Sequence, residues 1–291
     1  AGAVAPHGFP IIPDLSEDAE GGLATREAMF EMGRHFAAAK PDVIFIVGPH
    51  GVRVNGFVSI ADVGRGAGTL HYGGKTVEMN IPVDLEFSTE IAERARAKGV
   101  PVAGVGYGAS SPKSSVLPLD WGIITPIWFA GHQRNQVGYG NVLARPERAP
   151  GLVDEGPAVV IANPSRMIPR EVNVLVGQAV AEAAEASDKR VAIIASCDWA
   201  HSHTENGPYG YHPDAKRMDE IVVQAIKDNE PGRLIDLDDQ FVRNSAIDGL
   251  WQLLMLAGAM EVVPMDVNFL SYEAPTYYGM IVATYTPRRE G

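Results

Sequence analysis

Four stretches of this 291-residue chain set reactive side chains beside apolar runs. Ala3-Val4-Ala5 leads into Pro6-His7-Gly8, and Val43 to Val47 leads through Gly48 into Pro49-His50-Gly51. Val191 to Ser196 leads into Cys197-Asp198-Trp199-Ala200-His201-Ser202-His203, and Glu273 precedes a last apolar run, Met280 to Tyr285. In the repeated Pro-His-Gly, proline fixes the backbone before the imidazole and glycine leaves space after it. Neutral imidazole is the commonest metal ligand. Two histidines and one carboxylate on a single face hold non-haem Fe(II) with three adjacent positions open. Glu273, flanked by Tyr272, Ala274 and Pro275, is the candidate carboxylate, since an ionised group in apolar surroundings is costly unless paired or metal-bound. The plain alternative is an exposed turn residue, and zinc with a bound water is the rival metal. His201 and His203, two apart in an extended segment, face the same way. One is expected to act as a general base and the other to hold Asp198 or a loop carbonyl. Trp121, Tyr209, Tyr277 and Tyr278 either stack on a planar substrate or belong to the core.

These side chains need a frame. Short apolar runs bounded by Gly and Pro read as strands buried on both faces, and sheets of that kind place chemistry beyond the carboxyl ends of their strands. Residues 43–47, 158–162 and 191–196 are such runs. Helical spacing covers 24–40, 84–98, 171–186, 214–228 and 245–260, the last strongly apolar and central. Residues 57–61 and 76–79 alternate across a Gly-rich link and predict an antiparallel excursion. Pro126 breaks any long helix in 119–130, and 267–270 and 280–285 close the chain as strands. Residues 134–156 read as a polar surface segment, and His212 is a weaker candidate for which a lid is one of the readings. Strands alternate with helices, so the class is α/β. The expectation is a single domain over 1–291, with a central mixed sheet flanked by helices and a metal site at the strand C-terminal ends.

Composition narrows the function classes. A formal net charge of −12 argues against nucleic acid, which needs a basic face. The lone cysteine, Cys197, permits no internal disulfide and fits a cytoplasmic location. No apolar run reaches the roughly 18 residues of a membrane span, and the Pro-rich start lacks the basic leader of a signal peptide. P-loop and Gly-x-Ser-x-Gly signatures are absent, and Gly104 to Gly108 lacks dinucleotide spacing.

Taken together, Pro6-His7-Gly8, Gly48-Pro49-His50-Gly51, Leu119-Asp120-Trp121-Gly122 through Pro126, the 191–203 cluster and Ser271-Tyr272-Glu273 resemble the class III extradiol dioxygenases. That superfamily includes the protocatechuate 4,5-dioxygenase catalytic subunit. The resemblance implies a non-haem Fe(II) enzyme that cleaves a catechol-type or 2-aminophenol-type ring with O2, with Mn(II) or Zn(II) as lesser alternatives. It makes His7, His50 and Glu273 the metal ligands and His201 the catalytic base. Many relatives have Asp-His-Gly where this chain has Asp120-Trp121-Gly122, so Trp121, His203 and Tyr277 are assigned to substrate binding. Some relatives pair with a small partner subunit, and a homo-oligomer is the other expectation. The other readings are a metal- or partner-binding protein on the same scaffold, as in Memo-like proteins, and a zinc hydrolase.

Overall fold

The computed structural model describes residues 1–16, 22–133 and 156–288. In chain order the strands are β1 (Gly2–Ala5), β2 (Val43–Val47), β3 (Val58–Ala61), β4 (Arg65–Tyr72), β5 (Lys75–Pro82) and β6 (Val102–Val105). They continue as β7 (Val116–Pro118), β8 (Ala158–Asn163), β9 (Val191–Ser196), β10 (Met265–Glu273) and β11 (Met280–Pro287). The α-helices are α1 (Leu23–Ala39), α2 (Leu85–Ala97), α3 (Trp121–Ile127), α4 (Glu171–Glu185), α5 (Asp214–Lys227), α6 (Asp239–Ser245) and α7 (Leu250–Val262). The surface segment expected from Arg134 lies outside the described residues up to Gly156.

Eight strands form one mixed sheet in the order β10-β11-β1-β9-β2-β8-β3-β6. Its centre, β1-β9-β2-β8, is parallel throughout, so these four carboxyl ends share one rim. Both faces of the centre are covered, which is why its strands read as unbroken apolar runs. Val43, Phe45 and Val47 face α2, α4, α5 and α7, while Ile44 and Ile46 face α1, α3 and a second sheet. That second sheet is three-stranded, in the order β5-β4-β7.

The antiparallel excursion is real, but its partners differ from the sequence expectation. Residues 75–82 pair with 65–72, while residues 58–61 join the main sheet beside β6 and β8. The β4 stretch carries Gly66 and Gly68 and so shows no β pattern. A side chain at either glycine would run into Leu119, which packs on that strand. Pro126 sits inside the short α3, and a single π-helical turn, Trp128–His132, follows it. The apolar run expected as one helix from Ser245 is interrupted. α6 ends at Ser245, Ala246 turns left-handed at φ 51°, and α7 begins only at Leu250. Among the described residues no helix is long and apolar enough to cross a membrane.

Candidate functional site

β1 delivers His7 to the rim as a buried residue, 2 % exposed. Its backbone N–H donates to Asp198 Oδ1 at 3.1 Å, which ties the β1 end to the β9 end. Its ring Nε2 stands 3.2 Å from Asp198 Oδ2 and 3.5 Å from Asp248 Oδ2. Its Nδ1 lies 3.2 Å from Ser196 Oγ, and that hydroxyl donates its own proton to the Gly122 carbonyl. Ser196 therefore accepts from Nδ1–H, which leaves Nε2 as the nitrogen with a lone pair to offer once it gives up its proton. Burial pushes the His7 pKa down, but Asp198 and Asp248 outweigh it and raise the pKa to about 9. Asp198 is itself raised, chiefly by burial.

β2 delivers His50, whose ring centroid is 5.2 Å from that of His7. Its Nδ1 is 2.7 Å from Asp120 Oδ2. The other Asp120 oxygen accepts from Gly122 N–H and caps α3. Asn163, ending β8, donates to the carbonyls of Gly48 and His50 and fixes the turn between them. Trp121 is 43 % exposed and its ring lies 4.3 Å from His50.

β9 leads to His201, which is buried. Its Nδ1 is 2.6 Å from the Trp199 carbonyl, an acceptor only, so Nδ1 carries the proton and Nε2 is the free base. Nε2 is 3.9 Å from Asp248 Oδ2. Tyr278 stacks on the ring at 5.5 Å and 20°, with Tyr209 at 5.6 Å and Tyr277 at 5.9 Å. The Tyr278 hydroxyl lies against Gly8, where any larger residue would collide with it. Burial, then the Asp198 charge, raises the Tyr278 pKa, so the phenol stays protonated.

The remaining sequence candidates are used differently. Glu273 ends β10, and its Oε1 accepts from Thr25 N–H at 2.8 Å in the first turn of α1. A carboxylate there suits the positive end of the helix. His203 Nε2 is 2.8 Å from Asp219 Oδ2, which also accepts from the Tyr272 hydroxyl, while Oδ1 accepts from Ala200 N–H. Asp219, with no exposed surface, thus grips the chain on both sides of His201. His35 is half-buried, with Nε2 at 3.2 Å from the Tyr285 carbonyl. Sequence reasoning missed Asp248, Asp120, Ser196 and Asp219 as working parts of the rim.

Among the described residues no three His, Cys, Asp or Glu side chains form a ready-made metal cage. The donor chemistry nonetheless suits a divalent ion: two imidazoles and a carboxylate, each imidazole with its Nδ1 already committed. Asp248 Oδ1 is buried without a hydrogen-bond partner, an orphaned acceptor that a cation would satisfy.

Residues 3–283 match the family described as the catalytic LigB subunit of aromatic ring-opening dioxygenase. The chain is 22 % identical over 270 residues to Protein CA_C1420 of Clostridium acetobutylicum, covering 92 % of this chain and 53 % of that protein. It thus spans about half the length of the curated relative it matches. The crystal structure of an uncharacterized protein, JW3007 of Escherichia coli K12, superposes with a TM-score of 0.57 at 13 % identity. That match covers 97 % of this chain and 98 % of the other, and it shows the fold.

Proposed function

From the premise that this chain belongs to the family of catalytic LigB subunits of aromatic ring-opening dioxygenases, we propose that it opens a catechol-type or 2-aminophenol-type ring. Cleavage is extradiol, beside the paired substituents, with O2 as co-substrate and Fe(II) as cofactor. One observation supports this reading most. The free Nε2 of His201 and the Nε2 of His7 converge on a single carboxylate, Asp248, at the shared strand rim.

His7, His50 and Asp248 are the residues we assign to hold the metal. Asp248 takes the place expected of Glu273, whose carboxylate is engaged with the start of α1. When bound, the ion would supply open adjacent positions for the ring's two heteroatoms and O2. The chain's own residues do the rest. His201 Nε2 takes the ring hydroxyl proton and later returns it, with its tautomer fixed by the Trp199 carbonyl. Tyr278 holds the imidazole plane, and its hydroxyl presents a proton beside Gly8. Trp121, packed on His50, offers an aromatic wall where many relatives have a second imidazole. His203 serves through Asp219 as a positioning residue for the His201 loop. The family's subunit description makes a partner chain or a second copy a natural companion.

The deciding experiment is oxygen uptake after anaerobic Fe(II) loading, against a panel of catechols and 2-aminophenols. One O2 consumed per ring, with a yellow ring-fission product, is expected. Iron-loaded protein that consumes no oxygen across the panel sinks the reading, and bound zinc with ester hydrolysis replaces it by the hydrolase. The ligand assignment has its own test in metal content: Asp248→Asn should lose iron and Glu273→Gln should keep it.

A further inference from the structure

Tyr278 carries a polar atom that the fold leaves unused. Its ring stacks on His201 at 5.5 Å and 20°, and meets the Tyr277 ring at 4.9 Å. Its hydroxyl reaches the β1 end and lies against Gly8, the residue after His7. The nearby phenol of Tyr272 is satisfied, donating to Asp219 at 2.9 Å. The Tyr278 hydroxyl makes no hydrogen bond among the described residues. Tyr278 is half-buried, where a phenol usually finds a partner and a missing one is costly.

The surrounding structure makes room for this hydroxyl and holds it still. A side chain at position 8 would collide with the oxygen, so Gly8 keeps its place clear. The turn that carries Tyr278 is tied by its backbone to the His201 segment. Trp199 N–H donates to the Gly279 carbonyl at 2.9 Å, Gly279 N–H to the Ala200 carbonyl at 3.1 Å, and His203 N–H to the Tyr277 carbonyl at 3.2 Å. Phenol and imidazole therefore stand in a fixed relation. Burial and then the Asp198 charge raise the phenol pKa, so Tyr278 is a donor that keeps its proton at neutral pH. The nearest rim carboxylates, Asp198 and Asp248, are turned to His7. The missing acceptor must then come from a ligand. An oxygen that has just lost its proton to the free Nε2 of His201 is such an acceptor, and hydrogen bonds to charged oxygens are the strong ones. A donor already in place when that charge appears stabilises it without reorganisation.

We propose that Tyr278 is a second catalytic residue, whose hydroxyl donates a hydrogen bond to the ring oxygen that His201 deprotonates. This rests on the ring-opening reading and adds a residue to that same site. The proton passes from the ring oxygen to His201 Nε2, while Tyr278 keeps its own and acts by hydrogen bonding alone.

The test uses Tyr278→Phe, which keeps the ring on His201 and removes only the oxygen, with 4-nitrocatechol as the probe on anaerobic Fe(II)-loaded protein. Visible absorption of the probe reports its binding and its ionisation together, and binding is expressed per iron held. Tyr278→Phe should weaken binding about 10–100-fold, the scale of one hydrogen bond to a charged oxygen. The pH at which the bound probe ionises should rise by about 1–2 pH units for the same reason, a change that a packing defect would not produce. Gly8→Ala should reproduce both effects by displacing the hydroxyl, and should add little to Tyr278→Phe. Unchanged binding and ionisation in Tyr278→Phe, or effects of the two substitutions that simply add, overturn the assignment and leave ring opening standing. Iron-loaded wild type that does not bind the probe overturns the ring-opening reading, and this assignment with it.

Discussion

Two turns with the same three residues, Pro6-His7-Gly8 and Pro49-His50-Gly51, end the two strands that flank β9 in one sheet and present their imidazoles in unlike surroundings. The His7 side chain is 2 % exposed, between Asp198 and Asp248, with a neutral hydroxyl on Nδ1. The His50 side chain is 27 % exposed, with a single carboxylate on Nδ1 and an indole against its face. The tripeptide fixes the backbone and aims the ring. Burial and neighbouring carboxylates, drawn from β9 and the α6–α7 turn, decide the charge. Identical local sequence therefore gives one buried histidine protonated near neutral pH in metal-free protein and one partly solvated histidine oriented by Asp120.

The largest test of this contrast uses the third imidazole as a control. His201→Phe should keep metal, because it removes the base and no ligand, and should lower turnover by about 10²–10⁴-fold. Normal turnover in steady-state oxygen uptake would remove His201 from the chemistry. His7→Ala and His50→Ala should both lose metal, yet differ in the metal-free state. His7→Ala leaves Asp198 and Asp248 buried without their cation, at a cost of about 3–5 kcal/mol. His50→Ala, at a partly exposed position, should cost about 1 kcal/mol. Equal midpoints in urea denaturation would break the comparison. Smaller effects belong to the groups behind each ring. Asp120→Ala should weaken metal binding about 10–100-fold, whereas Ser196→Ala removes a neutral partner worth about 1 kcal/mol. Chelator competition ranks the two.

The last effect is one of pH. The folded pKa of His7 is raised from 6.5 to about 9. A raised basic group contributes stability that is fully present below its unfolded pKa and is lost as pH rises through the folded value. Metal-free protein should thus lose thermal stability between pH 6.5 and 9, and His7→Gln should flatten that slope. An unchanged slope would mean that His7 is not the group responsible.

That His7, His50 and His201 meet at one rim was legible because each follows an unbroken apolar run, and such runs mark strands covered on both sides. The parallel centre was legible for the same reason. Asp248 was hidden by composition: residues 245–260 are so apolar that they read as one helix, whereas Asp248-Gly249 is a turn dipeptide that parts α6 from α7. That dipeptide was the available signal. The sequence expectation placed the carboxylate at Glu273 by its position before the last strand, and position along the chain cannot reveal that the end of β10 faces the start of α1. Strand β4 escaped because its glycines admit Leu119 and leave no alternation to read.

The placement of β1 has a kinetic consequence. It lies between β9 and β11, pairing residues 2–5 with 193–196 and residues 2–4 with 283–285. The His7 contact with Asp198 closes a loop of 191 residues. Contacts so distant in sequence form late and slowly. During synthesis His7 waits, unpaired, until β9 and then β11 have left the ribosome. An ion held by His7, His50 and Asp248 as proposed would therefore enter a rim that the polypeptide has already finished.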